Sequence, residues 1–448
     1  MLLVANLLMA STLAFNAGGD LRVRHELLDN VPGLPDGGLL LPRGRGGFTD
    51  HLRIRPRVWG ELKLVTEDAG EFRLFARLGD EMRWCIEPGK SQYRFPDELY
   101  VDNLFVEGKG LFGGRLDFVA GRQDIYGLYG LDHIFVDGTP GDGSRSIFAD
   151  VVRACWHVDE VSTLDVFAIY NRDDNVLRWG TRQSRHRSLS GFGGGAEPEM
   201  DDWGFGAIWG SRYGESLPYQ LFVMQKNASS FHRAGVKHPR QQRELAGFKL
   251  MPQLDEDWSL QLEGMTQFGR DGRDHALSGW SAYAGINWKD ASAGSAKPFA
   301  SLGYHFMSGD RNAAGEDGGR SAWDPMWARG VNDSELMIYG SLYGAAWWSN
   351  MHYVKLSGGI DFGPHHRLAA NTGPMFAAAQ DDMGGGGGSF KGLLSQIRYD
   401  FPILTADKSK AERFEIFGHV EFELINPGDY YDTDRPSWFF RWQLDVRF

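Results

Sequence analysis

The sequence predicts an all-β chain, a single closed antiparallel transmembrane β-barrel of about eighteen strands (sixteen to eighteen). Three observations carry that expectation. Hydrophobicity alternates with period two along almost the whole chain, as strands with different environments on their two faces require. Connections between the alternating runs are long and short in turn. The chain ends on WFFRWQLDVRF, apolar or aromatic at every second position and closing on Phe448.

Composition fits and excludes. The 448 residues include 59 glycines, 15 Trp and 13% aromatics, a balance that suits strands and turns better than helices. Lys and Arg total 47 against 59 acidic residues, for a net charge of −12, and no strongly basic domain points to nucleic acid. Cys85 and Cys155 cannot build a disulfide framework, and no Cys/His spacing resembles a zinc site. The mean hydropathy of −0.37 reads as that of a water-soluble protein. In a barrel it is an average over one apolar and one polar face.

The first element is a leader. Residues 2–15, LLVANLLMASTLAF, are uncharged and apolar over the length of a signal-peptide core, with Ala14 or Ala17 as cleavage candidates. No Lys or Arg precedes them, which departs from the usual pattern. Residues 1–17 are therefore expected as a signal peptide and 18–448 as the barrel.

Strands are predicted over 20–28, 50–66, 71–86, 97–109, 114–124, 146–157, 161–172, 201–213 and 217–227 in the first half. The second half continues with 243–252, 257–268, 278–289, 297–308, 350–362, 366–379, 391–401, 412–425 and 437–448. Segments 29–49, 125–145, 173–200 and 309–349 read as long loops, and 67–70, 110–113, 158–160 and 214–216 as tight turns. In 50–66, Leu52, Ile54, Val58, Leu62 and Leu64 face lipid, while Arg53, Arg55, Arg57, Glu61 and Lys63 face the lumen. In 71–86 the lipid face carries Phe72, Leu74, Ala76, Leu78, Met82 and Trp84, opposite Arg73, Arg77, Glu81 and Arg83. Asp80 falls on the lipid face and is expected at the rim. The last strand puts Phe440, Trp442, Leu444, Val446 and Phe448 outward and Arg441, Gln443, Asp445 and Arg447 inward. Trp442, Leu444, Val446 and Phe448 form the expected assembly signal, read by barrel-assembly machinery and closing against Leu21 to Leu27.

The lumen of the first third is basic: Arg22, Arg24, Arg53, Arg55, Arg57, Lys63, Arg73, Arg77, Arg83, Arg122 and Arg153. Guanidinium groups stay charged and grip carboxylates through paired hydrogen bonds, so a wall of them attracts anions. Late strands set Glu415, Glu421, Glu423 and Asp445 inward beside Arg441, so a self-compensating lumen is the alternative. Glu421 and Glu423 share a face at roughly 7 Å; without a nucleophile elbow or His cluster they read as lumen lining, and no enzyme activity or cofactor is expected. The adjacent His365 and His366 point to opposite faces of a strand. Arg178, Arg182, Arg185, His186 and Arg187 make loop 173–200 basic, Asp310, Glu316 and Asp317 offer an open question of a divalent cation, and Gly384 to Gly388 reads as a loop.

Two segments carry a family resemblance. DNLFVEGKGLFGGRLDFVAGRQDIYG (102–127) pairs two strands ending in Gly121-Arg122-Gln123, and GDRNAAGEDGGRSAWDPMWARG (309–330) holds an aromatic-Asp-Pro loop. In combination they resemble the alginate-export family of outer-membrane proteins. The resemblance implies a monomeric barrel of about eighteen strands with an Arg-rich constriction for a polyuronate chain, and a lumen or structural role for Arg122. The expected function is a passive outer-membrane channel for an anionic polysaccharide or related anionic solute, in contact with outer-membrane lipid and periplasmic export proteins. The alternative is a general or neutral-oligosaccharide porin, with Trp59 and Phe75 as a stacking surface.

Overall fold

The structure is a computed structural model. It describes residues 11–30, 48–66, 70–80, 82–87, 92–93, 98–124, 128–135, 148–171, 178–180, 202–233, 236–290, 292–311, 320–327, 334–337, 349–380, 386–406 and 414–448.

Eighteen antiparallel strands form the closed barrel. They are β1 (Ser11–Asp29), β2 (Thr49–Thr66), β3 (Gly70–Asp80), β4 (Glu98–Gly110), β5 (Leu116–Asp124), β6 (Phe148–His157) and β7 (Thr163–Asn171). Next come β8 (Asp202–Tyr213), β9 (Leu217–Ala228), β10 (Gln241–Leu250), β11 (Trp258–Asp271), β12 (Ala276–Lys289) and β13 (Ala296–Met307). The circle is completed by β14 (Met351–Phe362), β15 (Arg367–Phe376), β16 (Phe390–Leu404), β17 (Glu415–Pro427) and β18 (Ser437–Arg447). Each pairs with its sequence neighbours, and β18 pairs back onto β1, Val446 opposite Leu21 and Phe440 opposite Leu27. Closure leaves no open edge, which hydrocarbon would not tolerate.

The period-two pattern produces these strands because each residue pair serves two solvents. Along β7 burial alternates residue by residue, Asp165, Phe167 and Ile169 inward, with Leu164, Val166 and Tyr170 exposed outward. On β18, Phe439, Arg441 and Gln443 face inward. Aromatics stand outward near both ends of the strands: Trp156, Tyr213 and Trp258 at one end, Tyr170, Trp203, Phe268 and Trp280 at the other. Two such belts mark the edges of an apolar band.

Several expectations are corrected. Ser11–Ala17 pair with Thr66–Gly60 of β2, so the first strand runs longer than the expected 20–28. The expected strand 71–86 divides into β3 and a short segment Met82–Glu87. Both lie on β2 in one register, since Gly79 faces Arg57 and Met82 faces Ile54. Asp80 is buried at the end of β3, not at an exposed rim. His365 belongs to a turn with φ +66°, where the opposed-faces argument does not apply, and His366 shares a hydrogen bond with the Tyr399 hydroxyl (2.9 Å). Within loop 173–200 only 178–180 is described, an added strand on β4. Glu316, Asp317, Gly384 and Gly385 also lie outside the described residues.

The lumen differs most from expectation. Eighteen strands enclose enough space for water, yet among the described residues three segments of the long loops fold inward and pack on the wall. These are 128–135, 320–327 and 334–337. Leu131, Ile134, Phe135, Trp327 and Leu336 are fully buried among them. Phe135 stacks on Trp327 at 5.5 Å, and the Trp327 backbone N–H donates to the Ile134 carbonyl (3.0 Å). Wall residues of the loop-side half receive them: Phe167, Ile208, Met224, Leu245, Met265, Met351, Met375, Ile425 and Phe439 form one apolar cluster with the inward segments.

Candidate functional site

Beneath that plug the register builds the expected ladder. Arg24 lies opposite Arg53, Arg22 opposite Arg55, and Arg53 opposite Arg83. Directly opposed like charges destabilise a sheet, so this wall needs acid between its rungs, and it has it. Glu26, fully buried, accepts from Arg24 (3.1 Å) and Arg53 (2.9 Å). Asp20 holds Arg57 at 3.0 Å and Arg55 at 3.5 Å. Asp102 holds Arg77 at 2.8 Å and lies 3.9 Å from Arg57. Arg73 bridges Glu61 (3.2 Å) and Glu107 (2.9 Å), and Lys63 pairs with Glu71 (2.7 Å). Arg22 is buried within this wall and faces Asp445 across the β1–β18 pairing. For Arg83 the register position is described, and its side chain lies outside the described residues.

Arg122 and Arg153 stand apart on β5 and β6. Arg122 donates to both oxygens of Asp150 (2.9 and 3.1 Å) and to the Val101 carbonyl (3.2 Å), so it ties three strands together. Its neighbour Gly121 has φ +128°, and a Cβ there would meet the Leu104 carbonyl oxygen at 2.3 Å. Only glycine fits that bend, a structural reason for the Gly-Arg-Gln sequence. Arg153 lies 3.4 Å from Asp165.

The late-strand carboxylates are latches. Glu423 accepts from the Ser334 hydroxyl (2.6 Å) and from the backbone N–H groups of Glu335 (2.7 Å) and Leu336 (3.1 Å). It therefore caps the inward turn 334–337 from the wall. Arg441, fully buried, pairs with Glu421 and Glu335 and lies 3.6 Å from Glu26. It links the latch to the Arg wall across the closure seam. Lysines hold the other segments by their carbonyls, Lys249 at Gly130 (2.6 Å) and Lys226 at Met326. Gln267 bonds both the N–H (3.0 Å) and the carbonyl (2.6 Å) of Asp324 in the aromatic-Asp-Pro segment. His133 shares hydrogen bonds with Ser281 and with His305 (2.9 Å), which seats 128–135 against β12 and β13.

Of the assembly residues, Trp442, Leu444 and Val446 face outward along β1. Gly19 and Phe448 exchange two backbone hydrogen bonds (2.8 and 3.0 Å). A Cβ on Gly19 would meet the Phe448 ring at 2.7 Å, so the glycine admits the terminal ring. Among the described residues no group of His, Cys, Asp and Glu has the arrangement of a metal site.

Sequence parity located the Arg wall and, of its counter-ions, placed Glu61. Glu26 was legible, since Asp20, Arg22, Arg24 and Glu26 share one face. Asp102 was not. A bulge on β4, where Arg77 faces Asn103 and Leu78 faces Val101, turns both Asp102 and Asn103 inward. The plug had one signal, apolar residues on both faces of the loop-side strand ends, as in Trp438, Phe439 and Phe440.

No family model and no curated protein sequence matches the chain. Solved structures do. OccK2 (OpdF) of Pseudomonas aeruginosa, determined in complex with glucuronate, is 14% identical, with 97% of each chain covered and a TM-score of 0.52. OccK7 (OpdD) of the same organism is 12% identical, with 97% of this chain and 98% of that chain covered and a TM-score of 0.54. A BenF-like porin from Pseudomonas fluorescens Pf-5 is 11% identical, at the same coverage and a TM-score of 0.53. These likenesses support an outer-membrane porin-type barrel and do not extend to the alginate-export family. A closed barrel with an apolar outer band between aromatic belts is an architecture of the bacterial outer membrane, and the chain belongs there.

Proposed function

We propose that the chain is a passive porin for small hydrophilic solutes, not a conduit dedicated to a polyanion. The observation that carries this reading is the pairing of the Arg wall. Glu26, Asp20, Asp102, Glu61 and Glu107 sit within ion-pair distance of the guanidinium groups of β1, β2 and β3. A wall compensated in this way presents polar, oriented groups without a large uniform field, so neutral solutes pass as well as ions. The inward segments favour small solutes because they occupy part of the cross-section that a polymer would need.

A second reading is passage of small carboxylates. It is favoured by the partly exposed Arg73 and by the glucuronate complex of OccK2, a barrel of similar fold. Polyuronate passage stands behind both. Planar-bilayer recordings separate the three: weak ion selectivity and no block by polyuronate are expected. Strong anion selectivity with polyuronate block would overturn the proposal in favour of the polyanion channel.

A further inference from the structure

Among the described residues, one stretch of the wall is neither covered by the inward segments nor purely charged. Trp59 of β2, Phe75 of β3 and Phe105 of β4 face the lumen, because their neighbours Val58, Leu74 and Leu104 are exposed outward. Their rings form one row across three strands. Trp59 and Phe75 lie 6.0 Å apart with planes inclined by 23°, and Phe75 and Phe105 lie 5.3 Å apart with planes inclined by 26°. The Arg73 guanidinium sits over Phe75 (5.5 Å) and Phe105 (5.0 Å). Glycines stand opposite both ends of the row, Gly18 across from Trp59 and Gly121 across from Phe105.

This row contrasts with the other inward apolar side chains. Phe167, Met265 and Phe439 are buried under the inward segments, whereas Trp59, Phe75 and Phe105 each keep part of their surface open. On the turn side they are bordered by Arg73 with Glu61 and Glu107, and on the loop side by Arg77 with Asp102. An apolar strip between two guanidinium–carboxylate bands matches one solute chemistry closely. A sugar ring has an apolar C–H face and a rim of hydroxyls that donate and accept at once. Hydroxyls can donate to Glu61 or Glu107 while accepting from the Arg73 or Arg77 guanidinium, and the charge balance of the wall is unchanged. An incoming carboxylate would instead compete with carboxylates already in place.

We infer that Trp59, Phe75 and Phe105, with the flanking Arg73–Glu61/Glu107 and Arg77–Asp102 pairs, form a binding track for neutral oligosaccharides on the lumen wall. The inference rests on the porin reading above and names its solute class. Each contact is weak, as a channel requires, because a solute must leave as readily as it enters.

The test is single-channel recording of the full-length folded protein in planar bilayers, with maltohexaose as the probe. Concentration-dependent interruption of the ion current is expected. Trp59→Ala and Phe75→Leu should each raise the half-blocking concentration about tenfold, the factor that 1.4 kcal/mol of lost ring contact carries. Phe75→Leu keeps an apolar side chain, so folding is spared. Arg398→Gln, remote from the row on β16, should leave the block unchanged. An open channel that maltohexaose does not interrupt, or whose block ignores both ring substitutions, overturns the track and leaves the porin reading standing. Absence of any ion conductance overturns the porin reading itself.

Discussion

Trp327→Ala tests whether the inward segments set the width of the channel. Trp327 is fully buried, stacked on Phe135 at 5.5 Å and edge-on to Phe167 at 6.0 Å. Removing a buried Trp side chain costs ~3–5 kcal/mol. At 1.4 kcal/mol per factor of ten, the ratio of seated to released segment falls by roughly a hundredfold to several thousandfold. Inward loops draw on the low end of local stability, so a shift of that size populates the released state. Lys226, Lys249 and Glu423 still tether the segments, and the strands are untouched, so the barrel itself should assemble. The assay is single-channel conductance with open-channel noise, alongside heat-modifiable mobility as the check on folding. Conductance should rise and become noisier, while Trp156→Ala, on the outer surface, should match the parent. Parent-like conductance in folded Trp327→Ala would refute the idea that this packing narrows the pore.

Further expectations follow the same contacts. Glu423→Ala leaves the N–H groups of Glu335 and Leu336 without their acceptor, at about 1–3 kcal/mol each; hydrogen exchange across 334–337 should accelerate, and unchanged protection would contradict the latch. Burial, with His305 and Lys249 nearby, holds the His133 pKa well below the ordinary imidazole value. Because its seated-state pKa is depressed, the seat is at full strength above about pH 6.5 and weakens by ~1.4 kcal/mol per pH unit below it. Conductance should therefore rise or flicker on acidification, and less so in His133→Asn; a flat profile from neutral pH to about pH 5 would sink this prediction. Deleting Phe448 removes both backbone bonds to Gly19 and the terminal ring, so outer-membrane insertion should drop. Normal insertion of the shortened chain would show that the terminal residue is dispensable.

Much of the barrel was legible in order. The expected 146–157 and 161–172 appear as β6 and β7 within two residues, and 201–213 as β8, because alternation is a local property. Boundaries failed where a tertiary partner sets them, as with the start of β1, extended along Thr66–Gly60. For the site, parity placed Arg22, Arg24, Arg53, Arg55, Arg57, Arg73 and Arg77 on one wall. It left their charge state open, since pairing depends on which strands are neighbours and in what register.

The sequence by itself therefore determined the period of the strands, the side of the residues away from bulges, the two sets of connections and the strand that closes the ring. All follow from interactions between residues close in the chain and from the two solvents that each strand must face. Only the tertiary structure decided what the lumen contains. The bulge that turns Asp102 inward, the carboxylate of Glu423 gripping a turn nearly ninety residues away (separation 89 to Ser334), and Trp327 meeting Phe135 are contacts between distant segments. Their energies depend on distances that no local pattern encodes. The same chain could have enclosed a bare basic pore; folding inward, it carries a compensated wall, a packed plug and one open row of rings.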